Sequence, residues 1–155
     1  MDTAEVMNAA SQGKLTVIDV YLDDGGNPNV HDELKRTALH RASLEGHTAV
    51  VQMLLEKGAN INFEDQLGSS AIHWACRGGS LNVVKALKGI RADLNVRDKL
   101  YSTPLHVATR TLHKAIVEYL LSCGAKINSR DRIGDTALHD AVRLNRYNIL
   151  TTCKK

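Results

Sequence analysis

A single interval governs this sequence. The hexapeptide "TALHRA" (residues 37–42) returns as "SAIHWA" (70–75), "TPLHVA" (103–108) and "TALHDA" (136–141), so His40, His73, His106 and His139 stand 33 residues apart. Asp32, Asp65, Asp98 and Asp131 keep the same step, as do Asn29, Asn62, Asn95 and Asn128. The apolar pairs Val50-Val51, Val83-Val84, Ile116-Val117 and Ile149-Leu150 follow it too. One period earlier a weaker copy survives in Ala9, Gly13, Val17-Ile18 and Gly25. A unit this short cannot bury an apolar face by itself. Stacked against its neighbours it can, and the period therefore predicts a solenoid.

Each unit reads as two helices and a connecting finger. Thr37, Ser70, Thr103 and Thr136 are placed to cap the first helix by accepting a backbone N–H, and Pro104 suits the first helical position, where a missing N–H costs nothing. Ala42, Ala75, Ala108 and Ala141 leave room for a close neighbour. Gly46 and Gly79 suit the turn between helices, which calls for positive φ. The second helix, "TAVVQMLLEKG", carries Val50, Val51, Leu54 and Leu55 on one stripe and ends at Gly58. The pattern is imperfect further on. Lys88 stands for a leucine and Arg91 for the helix-ending glycine, while Gly89 falls early, so the second helix of that unit is expected to end short. Leu112 and Asn145 replace turn glycines. Reduced local stability is expected over Val83–Ala92 and after Tyr147.

The repeated histidines are structural parts in this reading. Packed helices lie roughly 8–10 Å apart, whereas a zinc–nitrogen bond is about 2 Å, so histidines of adjacent units do not share an ion. Buried cap groups instead supply partners for both ring nitrogens. His73 and Cys76 share a helix face, but no second ligand pair accompanies them. His47 is expected to cap the second helix. Cys76 and Cys123 read as small apolar residues. There is no P-loop, no GxSxG and no paired-carboxylate arrangement. The sequence predicts a protein that is not an enzyme and has no cofactor.

Charge and finger chemistry point to partner binding. The net charge of +3 conceals 5 basic and 11 acidic residues over 1–75, against 15 basic and 6 acidic over 76–155. No stretch has the length of a membrane span, and three cysteines without a disulfide pattern fit a reducing, intracellular compartment. Two residues after each finger aspartate stands a large apolar residue: Leu34, Leu67, Leu100, Ile133. Such a row either packs finger on finger or forms a continuous binding strip. Its charged neighbours change from Glu33, Lys35, Arg36 and Glu64 to Arg97, Lys99, Arg130 and Arg132, a gradient able to orient an extended partner. The candidate protein-binding set is Leu34, Arg36, Leu67, Trp74, Arg77, Lys99, Leu100, Arg110, Arg132 and Ile133. The alternative is nucleic-acid or chromatin association through Arg97, Lys99, Arg130 and Arg132 in the basic half, which lacks an accompanying set of stacking aromatics.

The period and the T-A/P-L-H-x-A motif match the ankyrin repeat. The longer strings "RTALHRASLEGH", "IHWACRGG", "VRDKLYSTPLHVA" and "GDTALHDAVRLNRY" resemble the muscle ankyrin repeat proteins, above all the stretch-responsive skeletal-muscle branch. The resemblance implies an all-α solenoid of helix-turn-helix units with short β-hairpin fingers. The units run over about 1–32, 33–65, 66–98 and 99–131, with an incomplete one at 132–155. It further implies a striated-muscle adaptor that binds the titin spring region, associates with myopalladin and a Y-box transcription factor, and resides in the cytoplasm and sarcomere with access to the nucleus. Members of the family carry a partly basic N-terminal extension, whereas this sequence opens almost directly in a repeat. Its end, "NRYNILTTCKK", leaves the pattern.

Overall fold

The computed structural model describes residues 1–143. Among the described residues there are nine helices, the first eight in pairs: α1 (Thr3–Ser11) and α2 (Leu15–Asp23), α3 (Ala38–Glu45) and α4 (Thr48–Glu56), α5 (Ala71–Gly78) and α6 (Leu81–Gly89), α7 (Pro104–Arg110) and α8 (Lys114–Ser122), then α9 (Ala137–Arg143). The odd-numbered helices pack in one row, α1 on α3, α3 on α5, α5 on α7, α7 on α9. The even-numbered helices form a second row beside it. This is the stacked array the 33-residue interval predicts.

The interior follows from that geometry. Ala42, Ala75, Ala108 and Ala141 are buried between inner helices, and Ile18, Val50, Val51, Leu54, Val83, Val84, Leu87, Ile116, Val117 and Leu120 fill the space between the rows. Gly78 marks the closest approach, since a Cβ there would lie 2.0 Å from the Leu44 carbonyl oxygen. No helix is long and apolar enough to cross a membrane among the described residues.

Two expectations about the helix ends are corrected. The second helix of the third unit does not end short: α6 has the same nine residues as α4 and α8. Burial of Val83, Val84 and Leu87 fixes its register. The missing glycine is absorbed in the backbone instead, with Arg91 held at φ 67° where Gly58 has 100° and Gly124 has 87°. Similarly Leu112 takes φ 68° in the interhelical turn, beside 79° and 75° for Gly46 and Gly79. His47 stands at the N-cap of α4, but its side chain makes no cap bond. Its ring turns back to the preceding unit, with Nε2 2.8 Å from the Ser11 carbonyl oxygen. Ser80 and His113 reach back in the same way, to Leu44 and Arg77. The expectations for Asn145 and for the chain after Tyr147 lie outside the described residues.

Candidate protein-binding face

The repeated histidines join one unit to the next. In the unit starting at Thr37, the Thr37 backbone N–H donates to His40 Nδ1 at 3.0 Å, and His40 Nε2 lies 2.9 Å from the Ser69 carbonyl oxygen, one unit ahead. His73 pairs likewise with the Ser70 N–H and the Ser102 carbonyl, and His106 with the Thr103 N–H and the Asp135 carbonyl. An N–H facing Nδ1 and a carbonyl facing Nε2 admit one form only, the neutral ring protonated on Nε2. Burial holds the His40 and His73 pKa values below the ordinary imidazole value, in keeping with that form. Thr37 and Thr103 complete the caps by accepting from the His40 and His106 backbone N–H groups.

The finger aspartates shape what the histidines anchor. Asp65 Oδ1 accepts from the Leu67 and Ser69 backbone N–H groups, both at 2.9 Å. Asp32, Asp98 and Asp131 repeat the pair of bonds. Each finger is thus a tight turn closed by its own carboxylate, and regular strand pairing shrinks to one bridge, His31 with Thr37, among the described residues. Successive turns are joined by main-chain bonds, from Gln66 N–H to Leu34 O, Lys99 N–H to Leu67 O and Arg132 N–H to Leu100 O. The asparagines brace the finger bases: Asn29 and Asn95 accept from the Asn60 and Lys126 backbone N–H groups of the following units.

This scaffold leaves the finger row outward. Leu34 is 46% exposed, Leu67 66%, Leu100 59% and Ile133 76%, so these side chains do not pack finger on finger. Lys99, Arg132 and Arg77 are exposed beside them, and none makes an ion pair among the described residues. Arg97 and Arg132 both lie over the Tyr101 ring, at 5.8 and 5.6 Å from its centroid, and Arg77 lies 5.4 Å from that of Trp74. Tyr101, at the tip of the third finger with φ 60°, escaped the sequence reading. The one signal was its place in register with Gly68 and Gly134.

Three expected contact residues serve the framework instead. Trp74 is buried and its indole N–H donates to Asp65 Oδ2 at 2.9 Å, so it supports a finger rather than offering an exposed anchor. Arg36 is drawn onto Asp32 at 2.8 Å. Arg110 is held by three groups: Asp131 Oδ2 at 2.7 Å, Asp140 Oδ2 at 2.9 Å and Ser102 Oγ at 2.7 Å. The last contact set also bears on metals. His106, Asp131 and Asp140 converge closely enough for an ion, yet the Arg110 guanidinium already joins the two carboxylates and both His106 nitrogens have partners. His73 and Cys76 are both fully buried, with the His73 nitrogens likewise engaged. Burial also raises the Cys76 thiol pKa far above its ordinary value, leaving an inert thiol.

The sequence matches the family model for ankyrin repeats (three copies) over residues 6–98 and 81–152. Repeats of this family mediate protein–protein contacts. Among curated relatives, Ankyrin repeat domain-containing protein 1 of Xenopus laevis is 54% identical over 42 residues, 27% of this chain and 13% of the relative. The Homo sapiens protein of that name is 55% identical over 42 residues, again 27% and 13%. Ankyrin repeat domain-containing protein 2 of Mus musculus is 61% identical over 35 residues, 23% of this chain and 11% of the relative. The matched stretch therefore spans about an eighth of the length of those relatives.

Proposed function

From the premise that the chain belongs to the ankyrin-repeat family, we propose that it is a non-enzymatic adaptor of striated muscle that holds a segment of the titin spring on its finger row. Myopalladin and a Y-box transcription factor are further partners in this reading, with a sarcomeric and cytoplasmic location and a role in transcription. The family strings "RTALHRASLEGH" and "VRDKLYSTPLHVA" support the muscle assignment and its stretch-responsive skeletal-muscle branch.

The observation that carries the binding role is the outward row Leu34, Leu67, Leu100 and Ile133. Four large apolar side chains at one position of every finger cost free energy in water. They are stabilised by a partner that covers them. Nucleic-acid binding is less well supported. Arg97 and Arg132 share the single aromatic Tyr101, and Arg130 Nη1 donates to the Gly134 carbonyl at 2.8 Å. The test is equilibrium binding of a recombinant titin spring segment to the chain and to the double variant Leu67→Asp/Leu100→Asp. Binding should be lost while the helical circular dichroism is kept. Unchanged affinity would remove the finger row from the interface.

A further inference from the structure

The finger row contains two successive slots. One of about 300 Å³ lies between the second and third fingers, walled by Leu67, Leu100 and Val107. The next, of about 280 Å³, lies between the third and fourth, walled by Leu100 and Ile133. Leu100 is the partition they share. Cations stand at their mouths: Arg77 and Lys99 at the first and Arg132 at both, while Arg143 at the second is paired with Asp135 and Asp140. Arg110 also reaches both slots, but Asp131 and Asp140 neutralise it. Asp98 at the first and Asp131 at the second are turned to their own fingers, each with Oδ1 accepting two backbone N–H groups. Arg132 is steadied on Tyr101 and Arg77 on Trp74, so little side-chain freedom remains to be lost on meeting a carboxylate.

The spacing restricts what fits. The fingers recur with the units that carry them, each bonded to the next by a main-chain hydrogen bond. Neighbouring units are packed helix on helix, so the slots recur at roughly 8–10 Å. A β-strand returns a side chain to the same face every two residues, about 6.8 Å, or every four, about 13.6 Å. A polyproline II helix returns one every three residues, at about 9.3 Å. We infer that the two slots receive an acidic, extended peptide in the polyproline II conformation, with two apolar side chains three positions apart and carboxylates between and beside them. This deepens the adaptor reading above and rests on it.

The test is fluorescence anisotropy of the full chain with a labelled twelve-residue peptide. The peptide carries two leucines three positions apart, a proline and a glutamate between them, and glutamates on both flanks. Three comparison probes are used: the same residues with the leucines two apart, the same peptide with lysine for every glutamate, and a single-stranded oligonucleotide. Saturable binding of the first peptide is expected, weakened at least tenfold in the respaced and lysine peptides. The variants Leu100→Ser and Arg132→Glu, both at exposed positions, should each weaken it at least tenfold while leaving the helical circular dichroism unchanged. Equal binding of the respaced peptide, indifference to Leu100→Ser, or preference for the oligonucleotide overturns the proposal. The titin spring segment is measured against the same variants. A segment that binds wild type and loses affinity in Leu67→Asp/Leu100→Asp, while the acidic peptide does not bind, refutes the slot chemistry and leaves the adaptor role standing.

Discussion

Arg91→Gly should stabilise the protein. Arg91 sits at φ 67° just past Ile90, the C-cap of α6, in the place that Gly58 and Gly124 fill in the neighbouring units. For a residue with a Cβ the left-handed region costs about 1–2 kcal/mol. The arginine side chain offers little in return, being exposed and without an ion pair among the described residues. Glycine removes the steric cost but adds freedom to the unfolded chain, a penalty of about 0.4–1 kcal/mol. The difference favours Arg91→Gly by about 0.5–1 kcal/mol, which in a chain of this size raises Tm by about 2–4 °C per kcal/mol. Arg91→Ala is the control, because it removes the long side chain and keeps the Cβ. Urea denaturation gives the overall change. Amide exchange at Ala92, whose N–H bonds to the Leu87 carbonyl at 3.0 Å, gives the local one. If Arg91→Ala stabilises as much as Arg91→Gly, the backbone strain argument is wrong and the side chain is the cause.

The inter-unit bonds support further tests. His73→Ala should cost about 2–4 kcal/mol, since it strands the buried Ser70 N–H and Ser102 carbonyl; the urea midpoint measures it. Stability should also fall on mild acidification. The His40 and His73 pKa values are depressed in the folded state, so below the unfolded value of about 6.5 the unfolded chain binds more protons. The contribution is complete above about pH 6.5 and is lost as pH drops towards the folded values; a urea midpoint that stays constant from about pH 7.5 to 5.5 would contradict it. Arg110→Leu should destabilise by about 2–3 kcal/mol, because it removes the cationic partner of the buried Asp131 and leaves Asp140 only the 3.5 Å contact with Arg143. The loss should appear first as faster amide exchange in α9, and unaltered exchange there would count against the clamp.

The parts of the array that repeat were legible because their chemistry is local. Thr37 caps its own helix three residues away, Asp32 closes its own finger, and both sets of bonds recur at a fixed step. The apolar finger row was also visible, though periodicity alone could not decide between packing and exposure. What resisted reading was whatever depends on a partner in another unit. Arg110 meets Asp131 and Asp140, 21 and 30 residues ahead, and only one of these aspartates belongs to the repeat pattern. Trp74 is held by Asp65, which lies in the preceding finger and carries no mark in the sequence of that bond. The expectation of a shortened α6 gave a local glycine signal too much weight. Burial of three apolar residues outweighs the strain of one arginine.

The joints between units run in opposite senses. Imidazoles of the inner row reach 29 residues forward to a carbonyl, while the side chains of His47, Ser80 and His113 reach 36 residues back. Both reaches survive the insertion or removal of a whole 33-residue block, because the atoms that meet across the new seam are of the same kind as before. A change of another length inside a helix turns the reaching side chain away from its carbonyl, whereas one at a finger tip leaves both reaches in place. Such a chain can therefore lengthen or shorten by whole modules with its joints intact.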